Sequence, residues 1–473
     1  MSAYVPPPGS IPTLEVPEID GVRRVHMIGI GGAGMRNLAR LFLARGVEVS
    51  GSDLKDSRGL RELEALGASV SVGHVEANVG AADAVVVSSA IRDHNPELVE
   101  ARRRGIPVWA RAQALAATAA GRRQIAVAGT HGKTTTTAMI ALVLERAELN
   151  PTYVIGGDPN ESGSGAHAGG GDLFVTEADE SDGSFLLGHP AIGVVTNVEV
   201  DHVDFYPEGL AEIEGAFTAF ASRCERVVVC ADDGVAVRAV AAAGRPLTTY
   251  GSSPEADVRV EIASLGPDGA RASLATDGER HQLRLGVDGA HNVLNAAAAV
   301  AVARLVGVPI EGATDALASF QGVHRRFEHR GSARGAQFYD DYGHVPKELA
   351  VTLEVARRTR PRRLVAVFQP HRYSRTQALW KELGASLTEA DVIVVTDVYG
   401  AAQDPIPGVT GKLVVDGIAR TAADRRVVYL PHRGDVVRFL ERETRDGDLV
   451  ITMGCGDVWM LGDAVLERIE EAS

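Results

Sequence analysis

The chain predicts an α/β protein of several domains built on mostly parallel sheets, and three observations carry that prediction. Its 473 residues exceed what one ordinary core accommodates, so two to four domains are expected. Beyond residue 20, short β-branched runs alternate with Ala-, Leu- and Arg-rich helical stretches almost to the end, the pattern of parallel strands crossed over by helices. Two glycine clusters each follow such a strand and open such a helix.

Composition narrows the function classes. Hydrophobic residues make up 45% and charged residues 23%, a globular balance. A net charge of -14 argues against a nucleic-acid or anionic-membrane partner. Cys224, Cys230 and Cys455 form no CxxC pair, which fits a reducing cytosol better than a disulfide framework or a zinc site. The chain does not open on a basic, then apolar leader, and no apolar run is long enough to span a bilayer. A cytoplasmic protein is expected.

In chain order, residues 1–20 read as a Pro-rich tail (Pro6, Pro7, Pro8, Pro12, Pro17). Strands are expected at Val25–Ile30, Val47–Gly51, Ala84–Ser88, Gln124–Ala128, Leu173–Thr176 and Ala191–Thr196. Six more are expected at Val227–Cys230, Leu283–Val287, Gln337–Tyr339, Leu364–Phe368, Val392–Thr396 and Leu449–Met453. Breaks at Ala116–Arg123 and Phe320–Gly331 divide the chain into domains at 21–120, 121–322 and 323–473. Between Gly251 and Gly286, short strands and Gly-centred turns suggest an antiparallel insertion. No internal repeat is evident.

The first cluster, Gly29-Ile-Gly31-Gly32-Ala33-Gly34, has Asp53 about twenty residues on, after a second strand. Such glycines let a backbone approach a diphosphate at a helix N-terminus, and the acid can bind a ribose. The loop selects a diphosphate, so NAD and a UDP-linked substrate both remain open, as does a tight turn with no ligand. The second cluster, Gly129-Thr130-His131-Gly132-Lys133-Thr134-Thr135, is a phosphate loop in outline, although Val127 stands where the strict pattern has its first glycine. Here backbone N–H groups wrap phosphates, Lys133 neutralises the β/γ oxygens and a Thr hydroxyl holds Mg²⁺.

Ligands of open parallel sheets bind beyond the carboxyl ends of strands, and three polar clusters fall there: Glu177–Asp182, Asn197–His202 and His291–Asn295. Each has a plain alternative. Acid runs are usually solvated, a lone His is usually structural, and Asn292 can simply cap a helix. Three together beside a phosphate loop favour a Mg²⁺–nucleotide site. The last third adds Arg325-Arg326-Phe327, Asp340–His344 and Gln369–Arg375, a set suited to anions. Taken singly, Arg325 and Arg330 read as surface charge.

With these residues in view, the chain resembles the Mur ligases of peptidoglycan synthesis along nearly its whole length. The resemblance rests on Gly29–Met35, Gly129–Thr137, Glu177–Asp182, Thr196–His202, His291–Asn295, Arg325–Phe327, Asp340–His344, Gln369–Arg375 and Gly454–Asp457. It implies three α/β domains: an N-terminal Rossmann-like UDP-sugar binder, a central ATPase with a mostly parallel sheet, and a C-terminal Rossmann-like domain that closes over the site. The most similar branch joins L-alanine to the carboxylate of UDP-N-acetylmuramate through an acyl phosphate. Carried over by motif, Gly129, Thr130, His131, Gly132, Lys133, Thr134, Thr135, Asn292, Arg326 and Asp341 meet ATP. Thr134, Glu177 and His202 hold Mg²⁺, and the UDP-sugar meets Gly31, Gly32, Ala33, Gly34, Met35, Asp53 and Tyr342. His344, Arg372 and Arg375, which with Tyr342 fall at the muramoyl or alanine end, join Lys133, Glu177 and His202 as catalytic candidates. ATP, Mg²⁺, UDP-N-acetylmuramate and L-alanine are the implied partners of a monomer or homodimer.

Three positions depart from the family pattern. His344 is followed by Val345 rather than a second His, Tyr399-Gly-Ala-Ala-Gln403 replaces an acid with an amide, and Phe217 occupies about the place of a carbamylated lysine. Competing readings are a murein-tripeptide recycling ligase, a dehydrogenase using the first loop, and a non-catalytic UDP-sugar sensor.

Overall fold

The computed structural model describes residues 15–88, 90–160, 163–181, 183–201, 205–401 and 403–471. They form two compact units, residues 15–265 with 269–321 and residues 266–268 with 322–471. The first unit holds two sheets and the second holds one. No described helix is long and apolar enough to cross a membrane.

The first sheet comprises β1 (Arg24–Ile28), β2 (Glu48–Asp53), β3 (Ser69–Val72), β4 (Ala84–Val87) and β5 (Val108–Ala110), all parallel, in the order β3-β2-β1-β4-β5. Helices α1 (Ala33–Ala44), α2 (Arg58–Ala65), α3 (Pro96–Arg103) and α4 (Arg111–Ala119) connect and cover it. Alternation along β1 sorts its side chains between two cores. Val25 and Met27 pack with Leu38, Phe42 and Val86, while Ile28 packs with Val85, Leu98 and Ala101. The sequence order reverses at β1, so the first glycine loop sits at a topological switch point.

The second sheet adds β6 (Arg123–Ala128), β7 (Thr152–Val154), β8 (Ala166–His167), β9 (Leu173–Glu177), β10 (Ile192–Val195), β11 (Arg226–Cys230), β12 (Leu247–Gly251), β13 (Val258–Gly266), β14 (Gly269–Thr276) and β15 (Glu279–Leu285). Its order is β15-β14-β13-β12-β11-β10-β6-β9-β7-β8. The pairing is parallel through the middle and antiparallel for β7–β8 and β14–β15. Helices α5 (Lys133–Arg146), α6 (Leu210–Arg223), α7 (Gly234–Ala241), α8 (Ala290–Leu305) and α9 (Ile310–Ala318) flank it. The small side chains of Ala296–Ala299, all buried, let α8 lie close against α5. The two sheets of this unit meet through α1, whose Asn37 donates to the Ile155 carbonyl (2.9 Å) beside an apolar cluster of Leu41, Ala119, Val154 and Phe174.

The second unit contains β16 (Glu328–Ala333), β17 (Ala336–Asp341), β18 (Arg363–Phe368), β19 (Val392–Val395), β20 (Arg426–Tyr429) and β21 (Asp448–Met453), ordered β16-β17-β21-β18-β19-β20. Only β16–β17 is antiparallel, with a bulge between His329 and Gly331. Helices α10 (Pro346–Arg358), α11 (Tyr373–Ser386), α12 (Lys412–Thr421), α13 (Arg433–Glu443) and α14 (Trp459–Glu471) cover two apolar faces.

All twelve expected strands are present, most with ends shifted by a residue or two. The largest shift is Leu283–Val287, observed as Glu279–Leu285, because alternating outward Arg280, Gln282 and Arg284 hide an amphipathic strand from a search for apolar runs. The expected break at Ala116–Arg123 is helical through Ala119, and the one at Phe320–Gly331 contains the start of β16. Strands β3, β5, β7, β8, β12, β16 and β20 were not among those expected.

Candidate active site

Buried Ile125–Ala128 carries β6 into the phosphate loop. Gly129 has φ +135°, and a Cβ there would stand 2.0 Å from the Thr196 hydroxyl, so only glycine fits. The segment after β10 staples the loop. The Asn197 carbonyl accepts from Thr130 N (3.0 Å), its side-chain oxygen accepts from His131 N (2.9 Å), and Thr196 Oγ1 donates to the His131 carbonyl (2.6 Å). Thr130 Oγ1 in turn accepts from Glu199 N at 2.9 Å. Thr130 and His131 therefore shape the loop by these bonds. Gly132, at φ +81°, precedes α5, whose first turn has no side-chain cap and carries half-buried Thr134 beside buried Thr135.

Lys133 folds back over this loop. Its Nζ lies 2.5 Å from the Gly129 carbonyl and 3.0 and 2.9 Å from the two carboxylate oxygens of Glu180. Burial acts to lower its pKa, but the carboxylates of Glu180 and Asp179 outweigh that and the net shift is upward, so Lys133 is a cation. Glu180 was not among the expected site residues; its only sequence signal is membership of the acid run. Glu177, at the end of β9, accepts from Gly156 N at 2.5 Å. Asn292 stands in the first turn of α8, bonded to the Asp288 carbonyl (2.7 Å). Asn295, one turn on, takes the Thr136 hydroxyl (3.1 Å) and packs beneath Gly132. His202, expected to ligate metal, lies outside the described residues, as does Asp182.

The first glycine loop is braced differently. Gly29 N and Ile30 N donate to the Ser52 carbonyl (2.8 and 3.1 Å), and Gly31 N donates to Asp53 Oδ2 (2.9 Å). Beneath it lies a buried polar network in which Glu97 accepts from Ser52 Oγ (2.5 Å), Asn78 Nδ2 (2.6 Å) and Val75 N (3.2 Å) and meets His26 Nε2 at 3.2 Å. Burial works to raise the Glu97 pKa, but hydrogen bonds from His26, Ser52 and Asn78 prevail and hold it at about 2. Gly32 and Ala33 are exposed at the start of α1 and Gly34 lies against Arg111, a cation the sequence did not flag. The Met35 side chain is buried in the core, so its contribution to the loop is confined to the main chain.

In the second unit, Arg325 is no surface charge. Its guanidinium bonds Asp340 (2.9 Å) and the carbonyls of Gly454 (2.5 Å) and Gly456 (3.3 Å). Arg330 likewise pairs with Glu328 and Asp463. Both corrections have one cause: Asp340 and the Gly454 carbonyl for Arg325, and Asp463 for Arg330, are more than a dozen residues away in sequence. Asp341 is buried and accepts from Phe327 N (2.8 Å), Gly343 N (2.8 Å) and Thr352 Oγ1 (2.9 Å), which fixes the backbone around Arg326. Tyr342 lies under the guanidiniums of Arg325 and Arg326, 5.0 and 5.1 Å from its ring centre. Arg372 (φ +65°) opens α11 and, among the described residues, its buried Nε has no hydrogen-bond partner. Arg375 is buried 3.3 Å from His371 Nδ1. Burial, with His344, Arg375 and Arg372 nearby, pushes the His371 pKa down to about 3.

The departures also find places. Val345 is buried ahead of α10, and Phe217 fills the core against Phe185. Gln403 accepts from Ser374 N (3.2 Å) and donates to its hydroxyl (2.9 Å), bracing the first turn of α11.

A phosphate loop at one switch point and a diphosphate-type loop at another, followed by an arginine-rich third sheet, agree with what whole-chain comparison finds. Three family models match in sequence: the Mur ligase family catalytic domain over residues 24–123, the Mur ligase middle domain over 127–303, and the Mur ligase glutamate ligase domain over 325–456. The chain belongs to the Mur ligase family. It is 48% identical to the UDP-N-acetylmuramate–L-alanine ligase of Thermobifida fusca, across 96% of this chain and 98% of that one. The crystal structure of the UDP-N-acetylmuramate-alanine ligase of Thermotoga maritima superposes with a TM-score of 0.81 at 29% identity, covering 95% of this chain and 100% of that one. A murein peptide ligase of Psychrobacter arcticus, at 24% identity and TM-score 0.74 over 95% and 99%, shares the fold. The architecture is the three-domain α/β fold of this family.

Proposed function

We propose that the chain is an ATP-dependent ligase of peptidoglycan precursor synthesis that joins L-alanine to UDP-N-acetylmuramate. The half-buried Lys133 cation, held in a glycine phosphate loop that Thr196 and Asn197 staple, is the observation that supports it most. A carboxylate is a poor electrophile because its oxide leaving group is too basic. One carboxylate oxygen of the sugar acid attacks the γ-phosphorus as the bond to the β–γ bridging oxygen breaks and ADP departs. The alanine amine then attacks the acyl carbon, expels inorganic phosphate and gives up a proton. Lys133, exchanging Glu180 for phosphate oxygens, offsets the charge developing in the first step, with the N-terminus of α5 behind it.

Hard oxygen donors fit Mg²⁺, and such donors are the Thr134 hydroxyl in the first turn of α5, after β6, and the Glu177 carboxylate at the end of the neighbouring strand β9. With His202 they would hold the ion, which when bound neutralises phosphate charge. The glycine loop after β1 takes the UDP diphosphate with Asp53 and Tyr342 as further contacts; Asn292, Arg326 and Asp341 serve ATP. His344, Arg372 and Arg375 serve the muramoyl and alanine end, where the buried Arg372 Nε is a donor suited to a carboxylate or phosphate. We assign domains to 21–120, 121–322 and 323–473, a cytoplasmic location, and a monomer or homodimer. The test is phosphate release from ATP with UDP-N-acetylmuramate, scanned across amino acids and murein tripeptide. Release strongest with L-alanine is expected. Preference for tripeptide would reassign the chain as a recycling ligase, and no release would overturn the ligase reading.

A further inference from the structure

Three donors of nitrogen and sulfur type meet in the second unit. His344, His371 and Cys455 each offer one ligand atom, and these atoms all lie within 4.8 Å of one another. The residues are far apart in sequence, and the strand order is what joins them. They follow the carboxyl ends of β17, β18 and β21, and β21 lies between the other two in the sheet. Glu348, in the first turn of α10, has a carboxylate oxygen 3.4 Å from His344 Nδ1 and 3.0 Å from its backbone N–H. A carboxylate behind a ligating imidazole fixes the ring and raises its basicity.

We propose that His344, His371 and Cys455 form a binding site for a zinc-class divalent transition-metal ion, whose occupancy inhibits the enzyme. Two imidazoles and a thiol are a borderline-soft set that selects Zn²⁺ or Co²⁺ over Mg²⁺. Bonds of about 2.0 Å to nitrogen and about 2.3 Å to sulfur place tetrahedral ligands roughly 3.5 Å apart, so a triad already within 4.8 Å has to contract by no more than about 1.3 Å on binding. Water or Glu348 completes the shell, and the Cys455 thiol gives up its proton to solvent as the Zn–S bond forms. The guanidinium of Arg375, 3.3 Å from His371 Nδ1, opposes a cation. The site is therefore an exchangeable one and not a structural anchor. Inhibition rests on the functional reading above, which assigns His344 and Arg375 to the substrate end; metal binding itself does not.

The experiment titrates the full chain with Co²⁺ and follows thiolate–metal charge transfer in the near ultraviolet, then measures ligation in excess Mg²⁺ with added Zn²⁺. One equivalent of Co²⁺ is expected to produce the band. Cys455→Ala should abolish it, keep basal ligation and raise the inhibiting Zn²⁺ concentration at least about tenfold. His371→Ala should weaken Co²⁺ binding by a similar factor. Cys455→Ser, with unchanged thermal unfolding, guards against a folding artefact. No band in the parent chain, or an undiminished band in Cys455→Ala, overturns the site. Equal Zn²⁺ sensitivity of parent and Cys455→Ala overturns the inhibitory role. Metal binding without any ligation leaves the site standing and sinks the ligase assignment instead.

Discussion

The loops after β1 and β6 begin alike and end differently. Each is a glycine turn between a buried parallel strand and an uncapped helix, at a point where strand order reverses. The first is held from the side of β2, through the Ser52 carbonyl and Asp53, over a fully buried Glu97 network, and its nearby cation, Arg111, comes from another helix. The second is held from the end of β10 and carries its cation within the loop, paired to Glu180. Backbone alone makes a cradle; a lysine on a rigid loop makes one that can move charge with a phosphoryl group.

The sharpest way to break this comparison is Lys133→Ala. Ligation should fall by about a thousandfold or more while UDP-sugar affinity, measured by calorimetry, is retained. Comparable losses of both would mean that the two loops are not functionally separate. Glycine substitutions come next. In Gly129→Ala the new Cβ meets Thr196 at 2.0 Å in a backbone with φ +135°, and a loss of about 2–3 kcal/mol is expected in denaturant unfolding. In Gly31→Ala it meets only the end of the Asp53 side chain at 2.8 Å, which can turn aside, and about 1 kcal/mol is expected. A reversed ranking would show that the rigidities have been misjudged.

Acid should separate the loops as well. The Glu97 carboxyl sits at about 2 against an ordinary 4.5, so the stability it confers is present above pH 4.5 and lost as pH falls toward 2. Lys133 is shifted upward by its carboxylate neighbours, so its own proton is lost only in strong alkali. Thermal unfolding of Glu97→Gln should lose the extra acid sensitivity seen in the parent between pH 4.5 and 2. An unchanged acid limb would remove Glu97 as its source. Asp53→Asn is a smaller perturbation, with KM for the UDP-sugar rising about tenfold and kcat little changed. Smallest is Gln403→Glu in the other unit, where an anion at the start of α11 replaces one amide hydrogen bond. A change within about 0.5 kcal/mol is expected, and a large one would show that the amide is required.

Sequence reading succeeded where chemistry and neighbours are contiguous. Gly129, Gly132 and Lys133 lie within five residues, and the strand before and helix after them follow from local pattern. It failed where a partner is distant. Glu180 looked like one acid in a solvated run because the lysine it grips is 47 positions away. Arg325 looked like surface charge because Asp340 and the Gly454 carbonyl arrive on β17 and just past β21. Nor does cysteine spacing show that the sheet sets Cys455 beside two histidines, since they follow three different strands.

By itself, then, the sequence determined the α/β class, the two glycine cradles and the motif order of a Mur ligase, because apolar periodicity and glycine turns are properties of short segments. Tertiary structure alone decided which acid holds Lys133, what braces each loop, and that His344, His371 and Cys455 share one corner. Those pairings depend on which strands become neighbours. That choice is made by burying both faces of each sheet at once, a property of the whole chain that no short segment encodes.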